Sequence, residues 1–474
     1  MNIQTEENKL KKLITTALLI SFIGINFVPA LAATTKQNST KPKVFKSMIK
    51  KNKKQKSDAY KYDYVNMAWW ENFNDPILTG YINKAITNNY DLKMASLAVE
   101  EYYQAARIQL SNELPVIGAG FSPNYTKMPN QSSFNWAFAT PAYVNYELDI
   151  FLKNRNKTQA SKKLYEASKF DERGAYIAIA GAVGTTYLNV VRLDKIIDIQ
   201  QKIVSIRQDI YNLMLSSNRE GLVSTSDTIK ANKSLVAGQT ELIEYKKQRE
   251  KLMHALAVMI GESPENISEL AVTSYDSLSF SGTIPSEISS DIIVQRPDYL
   301  KAETMVEKAG IDVKVARKEF LPTINLSGVA LFNAKEFGSA WSTKGMLASL
   351  AAGAMLPIFT GGRRIANLKL KKTTYERILQ DYYKTNLTAL QEINDSLVTV
   401  KRDKEKLANT IEQENLEKAD YKLQEKKYNQ GVISRLDLIQ FQENLLSIDK
   451  LLAQQNIECM VDYIGLYKAV GSKL

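Results

Sequence analysis

The sequence is poor in the residues that build most catalytic and metal centres. Its 474 residues include one cysteine, Cys459, and one histidine, His254. A single cysteine excludes an internal disulfide, and one cysteine with one histidine cannot supply a zinc site or a Cys/His nucleophile pair. His254 lies in a helical pattern between Met253 and Ala255, which is typical of a surface or packing position. We therefore predict no metal, no cofactor and no enzymatic activity.

Proline and glycine are also scarce, with 12 and 21 residues, whereas charged residues make up 24% of the chain. This composition favours long helices over compact α/β domains. The net charge of +11 is spread over predicted helix faces that also carry acidic residues, so we interpret it as solvated surface and predict no nucleic-acid partner. The exception is Lys41 to Lys61, a lysine-rich segment that predicts a basic flexible leader, with contact to anionic lipid as the alternative.

The N-terminus has the pattern of a secretory signal peptide. Lysines between residues 9 and 12 precede an apolar run from 13 to 29, and a small-residue cleavage site ends at Ala32. A retained membrane anchor is the weaker interpretation, because polar residues interrupt a short apolar run. Since Ala33 and Thr34 follow the predicted cleavage site, we expect no cysteine-linked lipid anchor.

Two ten-residue segments of the chain repeat one another. Residues 218 to 227, NREGLVSTSD, and residues 428 to 437, YNQGVISRLD, share a glycine, a serine and an aspartate. Each member of the second segment lies 210 positions after its counterpart, in the pairs Gly221/Gly431, Ser224/Ser434 and Asp227/Asp437. The sequence therefore predicts an internal duplication.

Each half contains a region with a period of two residues, which predicts β-strands. Apolar residues alternate with small or polar ones from Ile117 to Tyr125, and again in a return segment from Trp136 to Ile150. The second half repeats this scheme from Ile324 to Phe332, with a weaker return strand from Met346 to Phe359. Each segment is long enough to cross a bilayer as a tilted strand. Two prolines are predicted to mark bulges or strand ends: Pro141 and Pro357.

Most of the remaining sequence predicts long helices. Residues 154 to 217 would span about 95 Å as one helix, residues 228 to 260 run back as its partner, and glycines lie where each pair turns. In both halves apolar residues at spacings of three and four form a narrow seam, which is typical of coiled-coil packing. The seams are Leu193, Ile196, Ile199, Ile203, Ile206, Ile210 and Leu213 in the first half, and Leu387, Leu390, Ile393, Leu397, Val400, Leu407 and Ile411 in the second.

Strand counting constrains the assembly. A sheet in lipid must close on itself, and bacterial barrels have at least about eight strands. The chain supplies about four predicted strands, so one copy cannot close a barrel. Two copies would give eight strands and three copies twelve, and the pattern alone does not choose between them.

Several motifs carry a resemblance to a known family. They are WWENFNDPILTGYINKAITNNYDL (69–92), YELDIF (146–151), QRPDYLKAE (295–303), VARKEFLPTINLSG (315–328), PIFTGGRR (357–364) and YNQGVISRLD (428–437). In these motifs and their order the chain resembles an outer-membrane factor of the TolC family, closest to the OprM-like and NodT-like channels of tripartite efflux systems. The resemblance implies a homotrimer with mixed α and membrane β structure: a twelve-stranded β-barrel with four strands per chain, a long α-helical coiled-coil barrel and an equatorial α/β belt.

The same resemblance implies a function. It is passive export of small molecules, as in multidrug efflux, from the periplasm through the outer membrane of a Gram-negative cell, in contact with outer-membrane lipid. The implied partners are a periplasmic adaptor (membrane fusion) protein and an inner-membrane pump, of RND type. Two alternatives stay open on the sequence: an outer-membrane component of type I protein secretion, and an exported coiled-coil scaffold without a pore.

The resemblance also assigns roles within the repeated segments. Tyr428 matches a tip tyrosine that holds the closed state by bonding an aspartate that matches Asp227. Asp437 matches a ring of carboxylates that narrows the pore and favours cations, and Gln440 stands where the family has a second aspartate. The alternative is that both aspartates only cap helices. The positions implied to contact the adaptor are Gly221, Leu222, Gly431 and Val432.

These interpretations give an expected order of domains. A signal peptide at 1–32 and the basic leader at 33–68 precede the first repeat. Equatorial and barrel helices, a transmembrane hairpin and a periplasmic helix pair form that repeat, at 69–113, 114–152 and 153–275. A linker with helices, a second hairpin, and a second helix pair with the C-terminal segment follow, at 276–320, 321–360 and 361–474.

Overall fold

Two helices of equal length form the frame of the fold. The computed structural model describes residues 68–127, 132–282, 288, 290–339 and 342–471, so the predicted signal peptide and nearly all of the basic leader lie outside the described residues. The order of elements is α1 (Pro76–Asn88), α2 (Tyr90–Ser111), β1 (Val116–Ala119), β2 (Ser122–Thr126), β3 (Asn135–Leu148), α3 (Lys153–Arg219), α4 (Thr225–Met259), α5 (Pro297–Lys318), β4 (Thr323–Ala334), β5 (Met346–Met355), α6 (Arg363–Asn429) and α7 (Arg435–Val470).

The duplication predicted from the sequence is present in the backbone. Helices α3 and α6 both have 67 residues and begin 210 positions apart. At ~1.5 Å per residue each helix is about 100 Å long. Their partners α4 and α7, with 35 and 36 residues, run back over about half of that length.

The long helices pack side by side in a layer that is four helices wide. The four helices near the strands are not the same four as those near the turns. Toward the strands, α3 packs against α2 and α5, and α5 also packs against α6. Toward the turns at 221 and 431, α3 packs against α4 and α7, and α7 packs against α6. A stretch of α3 is apolar enough by composition to cross a membrane, but half of it is buried inside the fold. We interpret α3 as the core helix of the layer.

The aromatic segment at residues 69 to 73 anchors the start of the described chain to this layer. Trp69 stacks on Tyr467 of α7, with ring centroids 6.2 Å apart. Asp75 then caps α1 by accepting the N–H groups of Ile77 and Leu78, and it also accepts the Tyr187 hydroxyl at 2.7 Å. The segment thereby packs into a buried core to which four helices contribute. The largest buried side chains of this core include Phe73, Leu78, Ile82, Tyr187, Leu188, Leu256, Ile260 and Ile457.

The strands form one antiparallel sheet that joins the two hairpins. The order is β1–β3–β4–β5, and β2 also pairs with β3 as a continuation of β1. The break between β1 and β2 lies opposite Pro141, where Gly120 donates its N–H to the Pro141 carbonyl at 2.8 Å. Because proline has no N–H, it cannot return a bond to Gly120. The sheet therefore has four strand positions.

The prediction for Pro141 needs correction, whereas Pro357 follows a strand end, as one of its two predicted roles required. Pro141 lies inside β3, which continues through it, and the interruption appears in the opposite strand. Strand β5 ends at Met355, so the return strand predicted to reach Phe359 is shorter, and Pro357 lies outside it.

The two predicted helix seams also differ from one another. In the first half, the five seam residues from Leu193 to Ile206 are each at most 8% exposed, which confirms that part of the seam. In the second half, Ile393 and Val400 are buried, but Leu387 and Ile411 are 67% and 44% exposed. The second seam is therefore wrong at its ends, because α6 packs against other helices of this chain along one side only.

Candidate gate at the helical tips

Each helix pair reverses direction through the same backbone motif. At the first tip, Gly221 N–H bonds the Asn218 carbonyl at 3.0 Å and Leu222 N–H bonds the Ser217 carbonyl at 2.9 Å. The second tip repeats both bonds from Gly431 and Val432. This is the Schellman pattern, which requires a left-handed residue after the helix. Gly221 and Gly431 supply it with φ values of 76° and 72°.

A serine and an aspartate then start the returning helix at each tip. Ser434 Oγ accepts the Asp437 N–H at 3.1 Å, and the Asp437 carboxylate accepts the Ser434 N–H at 3.0 Å, which completes a capping box. In the first copy Ser224 Oγ accepts the Asp227 N–H at 3.2 Å. The capping role considered in the sequence analysis is therefore observed for Asp437, whereas at the first tip Ser224 is the cap and the Asp227 carboxylate accepts the Ser224 hydroxyl.

The two aspartates differ in their electrostatic surroundings. Asp227 accepts hydrogen bonds from the Ser224 hydroxyl and from Lys230 Nζ, and these bonds, in that order, hold its pKa below the usual range. The Ser434 hydroxyl and backbone N–H lower the pKa of Asp437, with no cation among the causes. Gln440 stands where the first copy has Lys230, and its amide donates to Asn444. Only Asp437 therefore presents an uncompensated negative charge.

Tyr428 and Asp227 are not brought together within the described chain. Tyr428 is 36% exposed, and among the described residues no hydrogen bond joins it to Asp227. The corresponding Asn218 bonds within its own turn, from Nδ2 to the Val223 carbonyl at 2.9 Å. The latch between Tyr428 and Asp227 stays a prediction, and the geometry of one chain does not form it.

The residue after each tip glycine is an exposed aliphatic side chain. Leu222 is 72% exposed and Val432 is 67% exposed. In many Schellman motifs this position packs back on the preceding helix. Here both side chains project from the ends of the molecule, and no other part of the described chain covers them.

Polar contacts between the two helix pairs were missed by the sequence analysis. Arg207 on α3 donates from Nε to Glu443 Oε1 on α7 at 2.8 Å, and from Nη1 to the Ser234 carbonyl on α4 at 3.1 Å. Lys450 lies on α7, thirteen residues after Asp437. It donates to Gln200 Oε1 on α3 at 3.2 Å and also to Glu241 on α4. No sequence signal distinguishes these charges from the many on solvated faces.

The Lys450 contact joins three helices. Its Nζ lies 4.8 Å from the centroid of the Tyr245 ring, within range of a cation–π interaction. Burial alone lowers the pKa of Lys450, but its hydrogen bonds to Glu241 and Tyr245 outweigh burial and hold the pKa above the ordinary value. Lys450 and Arg207 together form what we call the inter-pair contacts, which tie α7 to α3 and α4.

The second helix pair contains a carboxyl pair between its helices. Burial raises the pKa of Asp462 to about 7, assisted by a hydrogen bond with Asp403 and by the charges of Asp403 and Glu458. Asp462 Oδ2 is buried and receives no donor from the described groups, so a proton shared with Asp403 would satisfy it. The positions 210 residues earlier are Leu193 and Leu252.

The lone cysteine and histidine do not form a reactive site. Cys459 is half-buried, and burial raises its pKa to about 11, which keeps the thiol protonated. His254 is exposed on α4. Across the described residues, no group of three or more His, Cys, Asp or Glu side chains is arranged to hold a metal ion.

Comparison with known proteins identifies the family. The family described as Outer membrane efflux protein matches residues 81–262 and 288–472, one match in each half of the duplication. The chain belongs to the outer membrane efflux protein family. The family consists of transport proteins, and membership assigns this chain to the outer membrane as an efflux channel component.

Curated relatives and solved structures agree with this membership. The chain is 27% identical over 415 residues to the probable efflux pump outer membrane protein TtgC of Pseudomonas putida (strain KT2440), covering 86% of this chain and 85% of the relative. It is 23% identical to the cation efflux system protein CusC of Escherichia coli, covering 86% and 89%. The crystal structure of the Campylobacter jejuni CmeC outer membrane channel matches with a TM-score of 0.78 at 24% identity, covering 85% of this chain and 88% of that one. The fold is thus of the TolC type.

Proposed function

We propose that three copies of the chain form a passive channel for small molecules through the outer membrane and across the periplasm. The observation that carries this proposal is the sheet with four strand positions. Its outer strands, β1 with β2 on one side and β5 on the other, each pair on one side only within the described chain. Exposed apolar side chains cover it, including Leu350 at 90% and Ile117 at 78%. Closure by further copies satisfies the strand edges, and lipid covers the apolar face.

The partners that we propose are a periplasmic adaptor and an inner-membrane pump of RND type. The helices, about 100 Å long, extend far beyond a hydrocarbon core of about 30 Å. Exposed Leu222 and Val432 at their far ends offer apolar contacts to the adaptor. The energy for transport then comes from the pump.

The proposed substrate class is small molecules, and its choice rests mainly with the pump. The relative CusC is named for cation efflux, whereas TtgC is named for an efflux pump without a substrate. The uncompensated charge of Asp437 supports a preference for cations at the tip. Three copies of one carboxylate around a narrow mouth concentrate negative potential there.

Single-channel recording tests the proposal. The purified chain should migrate as a heat-modifiable trimer and conduct ions in a planar bilayer. A correctly folded trimer without conductance would exclude a channel and favour the scaffold alternative. Cross-linking from cysteines placed at Leu222 and Val432 to co-expressed adaptor would test the tip contact, with a cysteine at exposed Leu347 on the sheet as the matched control.

A further inference from the structure

A basic pocket lies where the sheet meets the helices. It has a volume of about 420 Å³ and is lined by the end of β3, the starts of α3, β4 and α6, and the end of α5. Strands β3 and β4 are the central strands of the sheet, so the pocket lies within one protomer, away from the strand edges. The cationic side chains that line it are Lys153, Lys157, Lys318, Arg363 and Arg364.

The three acidic residues of the pocket are already engaged. Glu147 forms an ion pair with Lys153 at 2.6 Å. Asp149 caps the start of α3 by accepting the N–H groups of Lys153 and Arg155. Glu319 accepts a hydrogen bond from the Asn367 amide at 2.9 Å. Hydrogen bonds to neutral donors leave the negative charges of Asp149 and Glu319 in place, so the five cations and three carboxylates give the pocket a net charge of +2.

Four of the five cations have no carboxylate partner. Lys318 donates to the Leu152 carbonyl at 3.1 Å and Arg364 to the Pro357 carbonyl at 3.2 Å, and carbonyls are neutral. Among the described residues, the side chains of Lys157 and Arg363 have neither a hydrogen bond nor an ion pair. The pocket thus presents cationic side chains that are suited to a multivalent anion such as phosphate.

Two exposed apolar segments are tied to pocket cations through a backbone carbonyl, since Lys318 donates to Leu152 and Arg364 to Pro357. Ile358 and Phe359, which lie just before α6, are 94% and 85% exposed, and Leu152 before α3 is 45% exposed. An apolar surface beside a cationic pocket matches an amphipathic ligand with a phosphate headgroup. Since the sheet of an outer-membrane channel lies in the bilayer, its helix-side end lies at the periplasmic surface of the membrane, where such headgroups are found.

We propose that this pocket binds the phosphate group of a phospholipid in the periplasmic leaflet of the outer membrane. Lys157 and Arg363 contact the phosphate, and the acyl chains lie against Ile358 and Phe359. The site fixes the height of the channel in the bilayer at the junction between sheet and helices. This proposal rests on the outer-membrane location and not on the gating or partner proposals.

Native mass spectrometry of the full-length channel tests the site. The probes are phosphatidylglycerol in mixed micelles and, in a separate arm, inorganic phosphate. The pocket variant is Lys157→Gln with Arg363→Gln. The matched control is Lys162→Gln with Lys369→Gln, which removes the same charge from exposed positions on the same two helices outside the pocket.

The expected result is about tenfold weaker retention of phosphatidylglycerol by the pocket variant, because it lacks both cations that contact the phosphate. The control should stay within about twofold, and Lys157→Arg with Arg363→Lys, which keeps both positive charges, should retain the lipid nearly as well as the native chain. Heat-modifiable trimer in every variant excludes misfolding as the cause. Equal retention by the pocket and control variants would overturn the site. Displacement of the lipid by millimolar inorganic phosphate would reassign the pocket to free phosphate and overturn the lipid assignment.

Discussion

The two helix pairs share one backbone and differ in what holds them together. In the first pair the seam positions Ile199 and Ile203 are 3% and 4% exposed. The positions 210 residues later carry Asn409 and Gln413, both exposed. The second pair has a buried apolar cluster of Val400, Leu466 and Val470, but nearer its tip it has polar contacts, such as the buried hydrogen bond from Thr410 Oγ1 to Gln455 Oε1 at 2.6 Å.

From this difference we expect the first pair to be rigid and the second pair to be mobile. Burying an isoleucine side chain contributes about 1.5–3 kcal/mol, whereas a hydrogen bond contributes about 1 kcal/mol net, because water competes for it. Polar contacts also exchange readily with water or with a partner's groups. We therefore expect the first pair to act as scaffold and the second pair, which carries Tyr428 and Asp437, to move when the channel opens.

Truncation in the seam should produce the largest effect. Ile203→Ala removes a buried side chain and should lower the free energy of unfolding by about 3 kcal/mol. Gln413→Ala at the matched position removes an exposed side chain and should change it by less than about 0.5 kcal/mol. Apparent melting temperatures at one scan rate measure both. Equal losses at the two positions would contradict the division into a rigid and a mobile pair.

The second largest effect is expected from the inter-pair contacts, because they hold the second helix pair against the first. Lys450→Met keeps most of the side-chain volume but leaves Glu241 without its cation, which costs about 1–3 kcal/mol in the closed arrangement. Open probability in bilayers should rise about tenfold. The control is Lys404→Met, an exposed lysine on α6. If Tyr428→Phe or Asp227→Ala opens the channel and Lys450→Met does not, closure depends on the tips alone.

The sequence predicted the fold well where one local rule decided the outcome. The 3.6-residue period predicted the helices, and the two-residue period predicted the hairpins. Gly221 and Gly431 indicated the turns, where both have positive φ values. The break in the first strand escaped prediction, because its cause, Pro141, lies in a different strand. Local pattern does not report which residues of another strand will oppose a given segment.

The candidate site was only partly predictable. The repeat identified both tip aspartates, since a serine three residues before an aspartate is a local capping signal. The inter-pair contacts could not be found in this way, because Arg207 and Glu443 are 236 residues apart. The second seam failed for a related reason. Apolar spacing on α6 indicates a contact face without saying whether this chain or another copy covers it.

The carboxyl pair gives the second helix pair a loss of stability with rising pH, and the equivalent residues of the first pair, Leu193 and Leu252, cannot ionise. The folded pKa of Asp462 is raised to about 7, against about 3.9 when unfolded. The stabilisation is therefore complete below pH ~4 and is lost as the pH rises through 7. Because Asp462 is only half-buried, we expect a loss of about 1 kcal/mol after allowance for solvent screening.

Asp462→Asn isolates that effect, since asparagine keeps the shape and cannot ionise. The variant should be more stable than the native chain at pH 8 and lose the advantage at pH 4. Melting temperatures across this range measure the difference, with exposed Asp209→Asn on α3 as the control. A native chain whose stability does not change between pH 4 and pH 8 would rule out the shared proton.

The smallest effects are expected at the tips, where charges are exposed and screened. The residues at equivalent positions of the two tips can be exchanged. Lys230 follows Asp227 by one helical turn, and Gln440 follows Asp437 in the same way. Gln440→Lys should reproduce the first copy at the second tip and lower the preference for cations as Asp437→Asn does. Lys230→Gln should act in the opposite direction by freeing the charge of Asp227.

Reversal potentials measure the ion selectivity of these three variants. The differences in selectivity should shrink in 1 M salt, where the Debye length falls to about 3 Å. Identical selectivity in Gln440→Lys and the native channel at low salt would show that Asp437 caps its helix and does not control the pore.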